Sequence, residues 1–302
     1  MASEIRNIVV ISDTHFGCRL ALCPPDGASL DDGGRYMPSG LQSKLWQMWL
    51  QFWDEWLPSE IGKEPFVLVH NGDVIDGVHH SSTTQISNNL EDQGTLAVEA
   101  LQEYVERAAA YYHIRGTEAH VGKSGVEEER VAKRLKAKPN KHGQFARYDL
   151  WYRMGEHYIH FLHHVGTVSS NAYEATAVGK ELAETINEAG RWGHDIPSCV
   201  VRSHRHRHIE VKVPTHRGET TAFVTAAWQL KTPFAYKVAG ARVSTPQIGG
   251  SLIRLHKSGV LYTRHFTNPI ERSECETDNI NERVGSGTSP DKRDKARRHK
   301  RR

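Results

Sequence analysis

Val9-Val10-Ile11-Ser12-Asp13-Thr14-His15-Phe16-Gly17 is the stretch whose reading decides this chain. The apolar run from Ile8 to Ile11 reads as a buried strand. It breaks off into an acid, a hydroxyl and an imidazole. A buried strand has no use for Asp13 and His15, and both are metal-ligating types. In open α/β sheets the carboxyl edge of the strands is where ligands collect.

Working outward, the same pattern returns. Phe66 to His70 is a second strand, and it runs into Asn71-Gly72-Asp73-Val74-Ile75-Asp76. Gly72 lets the backbone turn tightly beside an ion. Asp73 has two oxygens with which to bridge two cations, and Asp76 is placed to hold a ligand in position. His79 and His80 follow as substrate-side residues or as wet loop histidines. Tyr112 to Arg115 is a third strand, ending in Gly116-Thr117-Glu118-Ala119-His120. Leu150 to Met154 and His157 to His164 form a hairpin that ends in His163-His164. Cys199 to Arg202 is a strand ending in Ser203-His204-Arg205-His206-Arg207-His208.

Five strands thus deliver carboxylates, hydroxyls and imidazoles at their ends. Two divalent metals about 3.5–4 Å apart need such a mixture, and such a pair can activate water and clamp phosphoryl oxygens. Thiolates are absent from the pattern, which argues against a structural zinc knot. Each cluster has a plainer reading. Asp13 can cap a helix, Asp73 can shape a turn, and His204, His206 and His208 can be one face of a solvated strand. Together those readings leave most of the 19 histidines unexplained. Arg205 and Arg207 alternate with the histidines and point the other way, toward a phosphate or an acidic neighbour.

Helical periodicity fills the intervals. Leu41 to Leu57 places Leu41, Leu45, Met48, Trp49, Phe52, Trp53 and Trp56 on one broad face, and Pro58 is expected to end it. Leu96 to Tyr111, Glu127 to Lys138 and Ala177 to Ala189 are further helices. Cys18 to Gly40 and Asn140 to Tyr148 read as loops. Later strands are expected around Val211 and Val213, over Thr221 to Ala227, Leu252 to Leu255 and Leu261 to Phe266. The expected fold class is α/β, a mixed sheet system flanked by helices.

The chain has 302 residues, enough for one large core or two modest ones. It contains no apolar run near the roughly 18 residues of a membrane span, and Met1 to Asn7 lack a signal peptide's order. Four cysteines are too few to staple it, so a reducing, cytoplasmic setting is expected. Cys18 and Cys23 would make half a zinc site, but no second pair follows. The net charge of +3 is uneven: residues 291–302 carry eight Lys and Arg against two Asp, so residues 1–290 come to −3. Thr267 to Ser289 is polar, with Gly285-Ser286-Gly287 marking a linker. Two regions are expected, 1–267 as the folded domain and 268–302 as linker and basic, disordered tail. Basic arms of this kind hold nucleic acid through phosphates. Lys231, Lys237 and Arg242, with Phe234 and Tyr236, are a second candidate polyanion path or a packed loop.

In this order the motifs resemble the calcineurin-like metallophosphoesterases. That family's pattern is Asp-x-His, Gly-Asp-x-x-Asp, Gly-Asn-His, a lone His, and Gly-His-x-His. Here it appears as Asp13-Thr14-His15, Gly72-Asp73-Val74-Ile75-Asp76, His163 or His164, and Ser203-His204-Arg205-His206, with Ser for the last Gly. The resemblance implies a four-layer α/β/β/α sandwich of mixed sheets and two divalent metal ions, manganese first, with iron or zinc also suited. It implies that Asp13, His15, Asp73 and His206 hold one metal. Asp73, His163 or His164, and His204 would hold the other. Thr117 stands where the family has a ligating Asn, leaving Thr117, Glu118 or His120 to complete the second site. His120, two residues late, would act as acid toward the leaving oxygen, with Asp76 in support. The implied activity is phosphoester hydrolysis, on nucleic acid as a phosphodiesterase or nuclease. A phosphomonoesterase for small molecules or phosphoproteins, or a non-catalytic nucleic-acid-binding protein, would use the same fold.

Overall fold

The computed structural model describes residues 5–122, 124–166, 170–215, 218–238 and 244–268. All of these lie in one compact unit, Met1–Ile270. The expected basic arm, nearly all of the expected linker, Arg242 and Cys275 lie outside the described residues.

The elements run β1 (Asn7–Ile11), β2 (Ala28–Ser29), β3 (Arg35–Tyr36), α1 (Gly40–Leu50), α2 (Leu57–Ile61), β4 (Val67–His70), α3 (Leu90–Arg107) and β5 (Ala110–Ile114). Then follow α4 (Glu118–Val121), α5 (Val126–Arg134), β6 (Ala146–Arg147), β7 (Asp149–Met154), β8 (His157–Leu162) and α6 (Glu174–Trp192). The last are β9 (Cys199–Arg202), β10 (Ile209–Thr215), β11 (Gly218–Val224), β12 (Ile248–Leu255) and β13 (Leu261–Asn268).

Two mixed sheets carry the fold. One has the order β13-β12-β1-β4-β5-β6, the other β10-β11-β9-β8-β7. Strands β1, β4, β5 and β6 are mutually parallel, and β8, β9 and β11 are parallel in the second sheet. Period-two alternation divides each strand between two layers. Ile8 and Val10 face Ile159, Phe161, Val201 and Phe223 of the other sheet. Val9 and Ile11 face outward, onto Trp49, Trp53 and Leu101 of the helical layer. On the far side α6 lays Val178 and Leu182 over Val200, Ala222 and Val224. The result is the expected four-layer α/β/β/α sandwich.

Several boundaries differ from expectation. The first helix does not stop at Pro58. It widens into a π turn over Gln51–Trp56, and the Leu57 N–H reaches back to Phe52 O. That widening spares the chain the clash and the lost hydrogen bond a proline causes inside a regular helix, so α2 runs on to Gly62 at φ 61°. Leu41, placed on the buried face, is exposed. The third helix starts earlier, at an Asn89 cap, and ends at Arg107, leaving 110 and 111 to β5. Helix α5 is shorter than expected and α6 longer. The two loops contain short strands β2, β3 and β6. His204 to His208 form turns rather than a strand face, and Arg207 Nε lies 3.3 Å from Glu174 Oε2.

Candidate metal centre

The parallel strands β1, β4, β5, β8 and β9 all lead into one edge of the sandwich, and their end loops are bound to one another there. Ser12 Oγ donates to the Asn71 carbonyl at 2.9 Å. Asn71 Nδ2 donates to the Leu162 carbonyl at 3.0 Å and to Ser203 Oγ at 2.7 Å. Ser203, where the resembled family carries Gly, also accepts from Thr225 Oγ1 at 2.8 Å. The extra hydroxyl is thus a fastening point among these loops.

Two groups of donors result. Asp13, His15 and His206 form the first. His206 Nε2 is 3.2 Å from Asp13 Oδ1 and 3.1 Å from His15 Nε2. His163, His164 and His204 form the second. Thr117 Oγ1 stands among them, 3.3, 3.5 and 3.0 Å from His163 Nε2, His164 Nε2 and His204 Nδ1. Asp73 joins both groups. Its Oδ2 is 3.0 Å from His163 Nε2 and 4.0 Å from His204 Nδ1. With His15 and His120 it makes a further donor cluster. Both His163 and His164 therefore reach the cluster that spacing left to one of them, His163 buried and His164 exposed. Glu118 is exposed on α4.

The backbone is strained where these side chains are presented. Asp13, His15, Asp73, His204 and His206 take φ between 43° and 74°. Left-handed non-glycine residues cluster at functional sites when the surroundings over-determine them. Gly72 is at φ 95°, and a Cβ there would sit 2.4 Å from His163 Nδ1. A Cβ on Gly116 would sit 2.1 Å from Asp73 Oδ1. Two glycines are thus what lets the Asp73 and Thr117 loops meet.

The donors fit divalent cations. The buried Asp13 Oδ1 accepts no hydrogen bond, and two imidazole nitrogens face each other at 3.1 Å. Burial, and then the neighbouring His120 and His206, hold His15 well below the usual imidazole range. Burial opposes ionisation of Asp13, but His206 and His163 more than offset it and keep the carboxyl low. For His163, burial works downward while the Asp73 charge and hydrogen bond push it up to about 10.

Around the donors stand residues placed to orient them. Asp76 accepts from Gln85 Nε2 at 2.8 Å and from Gln229 Nε2 at 3.1 Å. Its Oδ1 lies 3.6 Å from both His15 Nδ1 and His79 Nε2. His120 Nδ1 donates to the Asp76 carbonyl at 2.6 Å, so Nε2 is the free nitrogen. The His15 and His79 rings flank His120 at 4.5 and 4.4 Å. His80 stacks on Phe234 at 4.2 Å, and Lys231 Nζ sits 4.2 Å over the Tyr236 ring.

Sequence reasoning missed Glu128. This buried carboxylate accepts from the Val74 N–H at 3.1 Å and from the Gly116 N–H, tying the Asp73 loop to the Thr117 loop. A glutamate on a charged helix gave no hint of this in the sequence. The role of Asn71 was missed too, although it adjoins Gly72. Cys18 and Cys23 are buried free thiols. Burial and the nearby Asp76 charge push Cys18 up to about 12, and burial takes Cys23 to about 11, so neither offers a thiolate.

The two mixed sheets and their flanking helices match the four-layer architecture of the calcineurin-like phosphoesterases. No protein-family model matches the chain, and no curated protein does. Among solved structures it is similar to Chaetomium thermophilum Vps29, at 13% identity over 88% of this chain and 98% of that one, TM-score 0.39. It is also similar to a metallophosphoesterase from Sphaerobacter thermophilus, at 11% identity over 88% and 89%, TM-score 0.35. The sulfate thiohydrolase SoxB of Thermus thermophilus matches at 9% identity over 89% and 57%, TM-score 0.40. These likenesses are slight, and the architecture rests on this chain's own sheets and donors. No described helix is long and apolar enough to cross a membrane.

Proposed function

We propose that the chain is a two-metal phosphoester hydrolase, acting as a phosphodiesterase on nucleic acid. The observation that carries this reading is the meeting of two donor groups at Asp73. Asp13, His15 and His206 with Asp73 would hold one divalent cation. His163, His164 and His204 with Asp73 would hold the other, Thr117 lying between them. Manganese suits the oxygen and imidazole donors, as do iron and zinc. Bound there, the two cations would supply a nucleophile from water near neutral pH and neutralise the phosphoryl oxygens.

The chain's own residues do the rest. Asp76, held by two glutamine amides, orients His15. His120, with Nδ1 pinned, keeps Nε2 for the proton that passes to the leaving oxygen. The Thr117 N–H holds Asp73 Oδ1 at 2.6 Å, and so fixes which way Oδ2 faces. His80, Phe234, Lys231 and Tyr236 supply aromatic and cationic groups on the neighbouring loops, which favours a polyanionic substrate. The arm 291–302 would add phosphate contacts. A monoesterase would use the same centre.

The test is metal analysis joined to a substrate screen. Manganese-dependent turnover of bis(p-nitrophenyl) phosphate and of single- or double-stranded DNA is expected, exceeding that of p-nitrophenyl phosphate and lost in Asp73→Ala. Preference for the monoester would overturn the diesterase reading. Absence of bound metal and of any turnover would leave a binding protein.

A further inference from the structure

A second cluster of ligating side chains lies away from the strand ends, at the open edge between the two sheets. Strand β10 is the outermost strand of one sheet and β13 the outermost strand of the other. Glu210 on β10 is paired with Phe223, and His265 on β13 with Ser251. Phe223 belongs to the apolar layer between the sheets, and Ser251 neighbours Val10 of that layer. Glu210 and His265 therefore face into this layer, each from its own sheet. His208, just before β10, completes the group, its ring 3.9 Å from that of His265.

What marks the cluster is the way its other atoms are already engaged. His208 Nδ1 donates to the Val224 carbonyl at 3.0 Å, which leaves Nε2 as its free nitrogen. His265 Nδ1 is bonded to Ser251 Oγ at 2.9 Å. Its Nε2 is buried and has no hydrogen-bond partner. Glu210 Oε1 accepts from Thr263 Oγ1 and lies 3.6 Å from Lys212 Nζ. That leaves Oε2, 3.6 Å from His265 Nε2. One donor atom from each of the three residues lies within 4.8 Å of the others. Ligating histidines characteristically have their second nitrogen pinned in this way, which settles tautomer and ring direction.

We propose that His208, Glu210 and His265 form a third divalent-cation site, of the zinc class, that joins the edge strands of the two sheets. Two imidazoles and a carboxylate are a zinc-type set that leaves a fourth position for water. The inference is independent of the hydrolase reading, because none of the three residues belongs to the centre at Asp73. The competing occupant is a proton, which would make Glu210 and His265 an ordinary ion pair.

The probe is zinc itself. Full-length protein, His265→Gln and Glu210→Gln are equilibrated with Zn2+, freed of excess metal and analysed for zinc per chain. One equivalent fewer is expected in each variant, together with loss of part of the zinc-induced rise in Tm. Equal zinc content in all three would overturn the site in favour of the proton. Should His265→Gln not fold, Glu210→Gln keeps the shape of the side chain and is read alone. Zinc-edge anomalous diffraction from the unaltered protein tests the site without any substitution: a peak among the three side chains is expected, and its absence would overturn the proposal.

Discussion

The Asn71 carbonyl accepts a hydrogen bond from Nδ1 of His163 at 2.7 Å, and this contact determines which nitrogen of His163 faces Asp73. Nε2 is left 3.0 Å from Asp73 Oδ2. The Asn71 side chain meanwhile holds Leu162 and Ser203. One residue after β4 thus positions the ends of β8 and β9. Replacing Asn71 by Ala should loosen both histidine loops, and a loss of about 10–100-fold in metal affinity is expected, as for other residues that orient ligands. Isothermal titration with Mn2+ measures it. Unchanged affinity would remove Asn71 from the site.

Gly72→Ala should disturb the same contact from the backbone. The added Cβ would meet His163 Nδ1 at 2.4 Å, at a φ of 95°. The strain is on the order of 1–3 kcal/mol, and the ring has to move. Thermal unfolding should show a lowered Tm, with metal binding reduced beyond what the loss of stability explains. Gly33→Ala, also at positive φ but with open space around its Cβ, is the control for backbone strain alone.

Glu128→Ala should act on stability first. It leaves the buried Val74 and Gly116 N–H groups without their acceptor, at about 1–3 kcal/mol for each unsatisfied group. Urea unfolding reads the difference. Glu128→Gln keeps one acceptor oxygen, and should recover part of the stability.

His160 gives a pH prediction. Burial, and then the Arg202 guanidinium, takes its imidazole from 6.5 down to about 3. The folded state therefore refuses a proton that the unfolded chain accepts between those values. Stability is complete above about 6.5 and falls as pH drops toward 3. His160→Gln, which does not titrate, should flatten this acid limb of the urea midpoint plotted against pH. An unchanged slope would show that other groups carry it.

Much of the architecture, and the residue types that make up the candidate site, were legible in the chain. Ile8 to Ile11 and Val67 to His70 announce themselves by apolar runs of strand length that break off into polar residues. The ligating types and their order along the chain were likewise readable. Local chemistry carries this kind of information, because period and residue type are properties of neighbours. Pro58 misled for the same reason: the rule is local, while the π turn that accommodates it belongs to a helix packed against a sheet through Trp49 and Trp53.

Tertiary structure alone decided the rest. Sequence spacing left open His163 or His164, and the fold brings both around Thr117, because the end of β8 lies against the loop after β5. It also decided that a glutamate on α5 would fasten two loops, and that His208, Glu210 and His265 would meet across two sheet edges. The physical reason is distance along the chain. Glu128 is 54 residues from Val74, and His265 is 55 residues beyond Glu210. Only the packing of layers brings such groups within a few ångströms, where burial, charge and hydrogen bonding turn residue types into a site.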